Sequence, residues 1–448
     1  MDISIIGTGY VGLVSGVCLS EKGHNVVCVD NNVEKVAQIN RGISPIHEDG
    51  LNELLKSNIG HRLKGSSDLN DAVMNSSVSL IAVGTPFDGN SIDLKYVQQA
   101  SKEIGFVLKE KSEFHVVVVK STVVPGTTDD VVIPMLEKYS EKKAGTDFGV
   151  SMNPEFLREG AAVDDFMNPD RIVLGGIDDM THNVMKELYQ VFRNVDILLT
   201  SNKTAEMIKY TSNSLLATLI SFSNEIGNLC SDIGDIDALE VMKGVHLDKR
   251  ISPIIENGQR VSPGIVNYLE AGCGFGGSCF PKDVKALISY GIQLGSEMKL
   301  LQSVIGINKK QPSKILELIH KHFDSLVDIK VAVMGLAFKP KTDDMRESPS
   351  ISIIKSLLQK NTNIYAYDPI AQHKAEIIFA GESIRYCKTI YNTIKDAEII
   401  IILTGWPEFD EIPEIIENNT FVNPPLVVDG RRFLSKNSVI KYEGIGLS

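Results

Sequence analysis

Short apolar runs alternate along this chain with longer segments whose apolar residues recur at helical spacing. Ile3 to Ile6 read as a strand. Val11, Val14, Cys18 and Leu19 follow at helix spacing, Gly23 ends that helix, and Asn25 to Val29 form a second strand closing on Asp30. Val78 to Val83 and Phe114 to Val119 add two more strands. Between Lys203 and Gly234 no proline interrupts a segment with apolar positions on most faces, which predicts a long helix buried between domains or at a subunit interface. From Lys330 the early pattern restarts. Val331 to Met334 form a strand, Gly335 a turn, a helix runs near Pro349 to Lys360, and Asn363 to Tyr367 form a strand ending at Asp368. AEIIIILTGWPEF (397–409) echoes the earlier SLIAVGTPFD (79–88), and LVVDGRRF (426–433) reads as a final strand.

The first unit carries Gly7-Thr8-Gly9-Tyr10-Val11-Gly12 between strand and helix, with Asp30 after the second strand. In that context the spacing signals a dinucleotide site. Gly7 permits the tight turn, Gly9 lets a pyrophosphate approach the helix N-terminus, and Gly12 lets the helix pack on the strand. Asp30 would accept from a ribose 2′-OH and repel a 2′-phosphate, which favours NAD over NADP. The second unit lacks the triple glycine but places Lys339, Arg346 and Arg431 near strand ends, where they suit a diphosphate or are plain surface charge. The predicted fold class is therefore α/β, with two Rossmann-like doubly wound parallel-sheet domains joined by a central helical region with a long helix. The expected boundaries are 1–200, 201–305 and 306–448.

Composition narrows the function. At 448 residues the chain exceeds one core. Its net charge of −12 and the absence of a basic block argue against a nucleic-acid partner. No apolar run approaches the ~20 residues of a membrane helix, so no membrane partner is expected. No basic n-region precedes the first strand, so no signal peptide is expected. The six cysteines, at 18, 28, 230, 273, 279 and 387, are unclustered, which fits a reducing cytoplasm without a disulfide framework. No CxxC or HxxxH spacing appears, so no metal site is predicted.

Several candidate residues remain open on spacing alone. The loops Gly84-Thr85-Pro86 and Lys120-Ser121-Thr122 follow strands, so they either line a cofactor or simply turn the chain. Glu155, Arg158 and Glu159 form a charged group between Pro154 and Pro169 that, on its own, reads as a solvated turn. Lys209 and Asn213 lie four apart on the long helix and project side by side, although a single lysine is usually at the surface. In GFGGSCFPKD (274–283), Cys279 is either a buried structural thiol or a nucleophile. If Pro281 starts a helix, the dipole and Lys282 lower the thiol's pKa, and the thiolate can attack an aldehyde and pass through a thioester.

Taken together, GTGYVGLV, VGTPFD, VKSTVVPGTT, MNPEFLREG, TAEMIKYTSN, GFGGSCFPKD, GLAFKPKTDDMRESP and YDP resemble the UDP-glucose/GDP-mannose dehydrogenase family across almost the whole chain. The resemblance implies oxidation of the C6 alcohol of a nucleotide sugar to a carboxylate with two NAD⁺, with UDP-glucose as the expected substrate and GDP-mannose or a UDP-N-acetylhexosamine as alternatives. It implies Cys279 as nucleophile, Lys209 and Asn213 as stabilisers of oxyanionic species, Asp283 as a proton-transfer group, and Thr122 and Glu155 as holders of a catalytic water. Gly7, Gly9, Tyr10, Val11, Gly12, Asp30, Lys35, Thr85, Thr122, Glu159, Lys282 and Arg346 would lie beside NAD. Glu155, Phe156, Leu157, Lys209, Asn213, Tyr268, Gly276, Lys339 and Arg431 would hold the sugar nucleotide. The middle helix would form a dimer, so a homodimer or higher homo-oligomer is expected. Arg260 is the candidate for the arginine that many UDP-glucose members lend to the neighbouring subunit, but it lies further upstream than usual.

Overall fold

The structure is a computed structural model describing residues 1–419, 421 and 423–447. The chain forms two compact units, Met1–Ser212 and Asn213–Ser448.

The first unit is built on a six-stranded parallel sheet. Its strands are β1 (Asp2–Ile6), β2 (Asn25–Val29), β3 (Leu63–Ser66), β4 (Val78–Ile81), β5 (His115–Val119) and β6 (Phe148–Met152), in spatial order β3-β2-β1-β4-β5-β6. β4, β5 and β6 are buried along their whole length, because helices cover both faces of a parallel sheet. That is why they read as continuous apolar runs. β4 ends at Ile81, two residues before the predicted Val83. The predicted first helix is Tyr10–Glu21. Two further parallel strands, β7 (Arg171–Gly175) and β8 (Asp196–Thr200), make a small separate sheet, and all of β8 but Thr200 is exposed. A π-helical turn, Thr128–Val132, follows the loop after β5.

The long helix is Asn202–Ile233 and runs through the boundary between the units. Part of its apolar surface is not covered: Met207, Leu215, Phe222, Leu229 and Ile233 are exposed.

The second unit opens with helices and a glycine-rich loop. Its sheet then repeats the first, with β9 (Lys330–Met334), β10 (Asn363–Tyr367), β11 (Ile384–Tyr386), β12 (Ile399–Ile402), β13 (Leu426–Asp429) and β14 (Tyr442–Gly444) in order β11-β10-β9-β12-β13-β14. The strand order is that of the first sheet. The four isoleucines of β12 are completely buried. The helix expected near Pro349 is Pro349–Leu358.

Candidate active site

In the first unit the turn after β1 has the shape a dinucleotide needs. Gly7 has φ +101, and a Cβ there would lie 2.7 Å from the Ala82 carbonyl oxygen. A Cβ on Gly12 would lie 1.9 Å from the Gly7 oxygen, so the helix could not approach the strand. A Cβ on Gly9, the helix N-cap, would meet no protein atom within 4 Å. That open space over unsatisfied helix N–H groups suits a pyrophosphate. Asp30, directly after β2, is half-buried. Its Oδ2 accepts from the Thr8 N–H (3.0 Å) and hydroxyl (2.5 Å), and its Oδ1 accepts from the Asn32 N–H (2.9 Å). Burial raises its pKa, but these bonds and the Lys35 charge outweigh that and hold it below the usual carboxylate value. Val11 is half-buried in the first turn of the helix.

Tyr10, the first residue of that helix, turns its hydroxyl to a second loop. Its hydroxyl donates to Glu48 in a very short bond, and Glu48 also accepts from the Gly160 (2.7 Å) and Ala162 (2.6 Å) N–H groups. Burial raises the Glu48 pKa. The loop carrying Glu155 and Glu159 is thereby tied to the dinucleotide turn. Thr85 and Thr122, proposed from separate loops, are joined: the Thr85 hydroxyl donates to the Thr122 carbonyl at 2.8 Å.

The charged group after β6 divides. Arg158 lies at the surface against Asp165, and Glu159 is half-buried. Glu155 is buried and forms an ion pair with Lys209 at 2.9 Å, the two side chains being 5% and 4% exposed. The solvated-turn reading therefore fails for Glu155, and the surface reading fails for Lys209. Burial pushes the Glu155 pKa up, but the Lys209 charge and hydrogen bond, the Leu157 N–H and Lys120 bring it below its ordinary value. Lys209 and Arg171 stand over the Phe156 ring, at 5.6 and 3.9 Å from its centroid. Leu157 packs on the core.

Lys120 was not singled out by the sequence. It is buried, donates to Asn153 Oδ1 at 2.9 Å, and burial brings its pKa down to about 8. Its place in the KST loop was the available signal.

In the second unit Cys279 is the N-cap of helix Phe280–Gln293, with Pro281 in the first turn. Asp283 is 1% exposed and accepts from Asn213 Nδ2 (2.6 Å) and Lys282 Nζ (2.6 Å). The other five cysteines are buried; Cys279 is half-buried. Burial pushes the Cys18 and Cys28 thiols up to about 12 and raises Cys273. Cys279 thus differs from the other cysteines in its exposure and in its place at a helix N-terminus.

The glycines before it are packing requirements. A Cβ on Gly276 would lie 2.4 Å from the Glu347 carbonyl oxygen, and one on Gly277 would strike the Phe338 ring. Arg431 donates to the carbonyls of Leu403 (2.7 Å), Gly274 (2.9 Å) and Phe338 (3.3 Å), so it braces this loop. Lys339 lies over Phe338, Arg346 is exposed beside Asp344, and Tyr268 packs near Phe280. Arg260 is not drawn to these residues: it donates to the Leu247 and Ser252 carbonyls of its own segment.

Comparison with known proteins decides the family. The NAD binding domain of the UDP-glucose/GDP-mannose dehydrogenase family matches residues 1–193, its central domain 203–310, and its UDP binding domain 332–436. The chain belongs to this family. As a UDP-glucose/GDP-mannose dehydrogenase family member it is an NAD-dependent nucleotide-sugar dehydrogenase. It is 39% identical to the UDP-glucose 6-dehydrogenase of Haloferax volcanii, over 99% of this chain and 100% of that one. It is 40% identical to the GDP-mannose 6-dehydrogenase of Pseudomonas putida, over 96% and 99%. The structure of a UDP-glucose dehydrogenase from Pyrobaculum islandicum superposes with TM-score 0.89 at 37% identity, covering 100% of this chain and 98% of that one. Among the described residues no helix is long and apolar enough to cross a membrane, and no group of three His, Cys, Asp or Glu could hold a metal ion.

Proposed function

We propose that this family member oxidises the C6 alcohol of UDP-glucose to the carboxylate in two successive steps, the second on Cys279. The observation that carries this reading is the half-buried thiol capping a helix whose first turn holds Asp283, pinned by Asn213 and Lys282. A dehydrogenase that stops at the carbonyl has no use for such a thiol.

NAD, when bound, would supply the hydride acceptor for each oxidation. Gly7, Gly9, Gly12 and Asp30 hold the dinucleotide, with Tyr10, Val11, Lys35, Thr85, Glu159, Lys282 and Arg346 beside it. As C6 loses its hydride, its hydroxyl proton leaves through the water that Thr122 and Glu155 hold. Lys209, aided by Asn213, stabilises negative charge on the C6 oxygen. The Cys279 thiolate then adds to the aldehyde carbon, giving a thiohemiacetal. Loss of the second hydride leaves a thioester. Water activated by Asp283 or Glu155 hydrolyses it, releasing the carboxylate and restoring the thiol. Phe156, Leu157, Tyr268, Gly276, Lys339 and Arg431 hold the sugar nucleotide. The match to a UDP binding domain and the names of several relatives support UDP-glucose. The Pseudomonas putida relative supports GDP-mannose as the second reading.

We place the enzyme in the cytoplasm as a homodimer. Leu215, Phe222 and Leu229 recur every seven residues on the exposed face of the long helix, the spacing of a helix–helix seam. Ile197, Leu198 and Leu199 of β8 are exposed as well.

The test is NADH formed per mole of limiting sugar nucleotide, with UDP-glucose, GDP-mannose and UDP-N-acetylhexosamines offered separately. Two per UDP-glucose is expected. Two with another sugar alone would move the substrate. One with every active donor would exclude the thioester route, and none with any of them would exclude all three substrates.

A further inference from the structure

Glu206 has no role in the chemistry above. It lies one turn before Lys209 on the long helix and is 0% exposed. Its Oε2 accepts from the Gly126 N–H at 2.5 Å, and its Oε1 accepts from the Thr128 N–H (2.8 Å) and hydroxyl (2.6 Å). These donors belong to the VVPGTT segment directly after Thr122, about eighty residues away in sequence. Gly126 adopts φ +95, the left-handed turn that aims this backbone at the helix. The upstream end of the loop is held separately, by the Thr85 bond to the Thr122 carbonyl and by the Ser121 hydroxyl on the Val83 carbonyl (2.7 Å). Downstream it passes into the π-helical turn, a form frequent at functional sites.

We propose that Glu206 is a positioning residue that clamps the Thr122 loop to the helix carrying Lys209, and that the clamp is complete only while its carboxylate is ionised. An ionised carboxylate is acceptor-only and satisfies all three donors. Protonation, or replacement by an amide, turns one oxygen position into a donor and sets it against the Gly126 N–H or the Thr128 pair. Charged groups of the same loop and helix have partners of their own. Asp129 accepts from Asn202, Asp130 pairs with Lys203, and Lys209 pairs with Glu155. Burial pushes Glu206 up to about 7 against the pull of its three bonds, and Asp129 adds to the rise. Because the folded-state pKa is raised, the folded form is penalised for ionising. The stability Glu206 contributes is full below the ordinary carboxylate range and is lost as pH rises to about 7. The ionised clamp is therefore maintained at a cost in stability, as expected of a residue kept for geometry.

The role in turnover rests on the oxidation proposed above; the clamp itself can be read without substrate. Amide hydrogen exchange over 120–130 in the full chain would be compared at pH 8 for wild type and Glu206→Gln. Exchange at Gly126 and Thr128 should be about 10-fold faster in the variant. Wild type at pH 6, corrected for intrinsic rates, should show the same loosening, which covers a variant that fails to fold. Protection equal in both comparisons would overturn the clamp. In turnover, Glu206→Gln should lower kcat about 10-fold with KM for NAD nearly unchanged. A loosened loop with unchanged kcat would overturn the positioning role. An enzyme inert with every nucleotide sugar would overturn the oxidation reading and leave the exchange result standing.

Discussion

Gly7 and Gly335 occupy the same place in two sheets of the same strand order. Each has a positive φ, and each donates its N–H to the end of the neighbouring strand, at Val29 or Tyr367, at 2.8 Å. Each turn is closed by an aspartate, Asp30 or Asp368, that accepts from the following N–H. From there the halves diverge. In the first, the helix starts at Tyr10, and Gly9 leaves open space at its N-terminus. In the second, Ala337 stands at the position of Gly9, and the helix does not start until Pro349. Asp368 is 3% exposed and accepts five bonds, from Leu336, Ala337, Ile370, Ala371 and the Trp406 indole. One aspartate remains reachable by a ligand, and the other has become an internal fastening. A repeated frame therefore does not imply a repeated site.

The largest effect should come at the thiol. If the second half supplies chemistry and the first supplies the dinucleotide, Cys279→Ser should cut uronate formation by roughly 10⁴-fold or more. NAD affinity by calorimetry should stay the same; a parallel loss of NAD binding would break the division of labour. Next come the paired aspartates. Asp368→Asn should cost roughly 2–3 kcal/mol, because it leaves buried donors badly matched. Asp30→Asn should cost under about 1 kcal/mol but weaken NAD and relax the bias against NADP. Equal melting-temperature losses for both variants would show that the two acids do the same job. Gly9→Ala is subtler. Its Cβ meets no protein atom and its φ of −69 is ordinary, so the melting temperature should hold while NAD binds about 10-fold more weakly. Undiminished NAD affinity would mean that no pyrophosphate lies over Gly9.

The smallest effect concerns pH. The folded-state pKa of Glu155 is depressed below its ordinary 4.5. The stability it contributes is present above that value and lost as pH falls through the lowered pKa. Urea midpoints between about pH 3 and 6 should fall more shallowly on the acid side for Glu155→Gln than for wild type. Parallel curves would mean that the Lys209 pair does not hold the carboxylate ionised.

Much of this was readable from the chain. β5 could be read because burial on both faces demands valine at nearly every position, and the dinucleotide turn because sterics leave glycine alone at Gly7 and Gly12. Cys279 could be placed at a helix end because Pro281 fits the first helical turn. What escaped is non-local. β3, LKGS, carries one buried apolar residue and becomes a strand by pairing with β2. Glu48 reads as loop polarity until the fold sets it against Tyr10, Gly160 and Ala162. Arg431 reads as a ligand for diphosphate, yet its guanidinium also binds three carbonyls from three segments. Local pattern reports what a residue is next to in sequence, and these residues act on partners far along the chain.

The bond network between Thr8 and Asp30 bears on the tempo of the reaction. Thr8 secures Asp30 through both its N–H and its hydroxyl, so the turn keeps its form from within the protein. A seat that does not depend on its occupant for shape can be vacated and refilled without rebuilding. The four-electron oxidation proposed above would require such a swap halfway through, one cofactor replacing another while the sugar stays on the enzyme. On that proposal, a turn braced from within would let the second cofactor seat itself without first reshaping the loop.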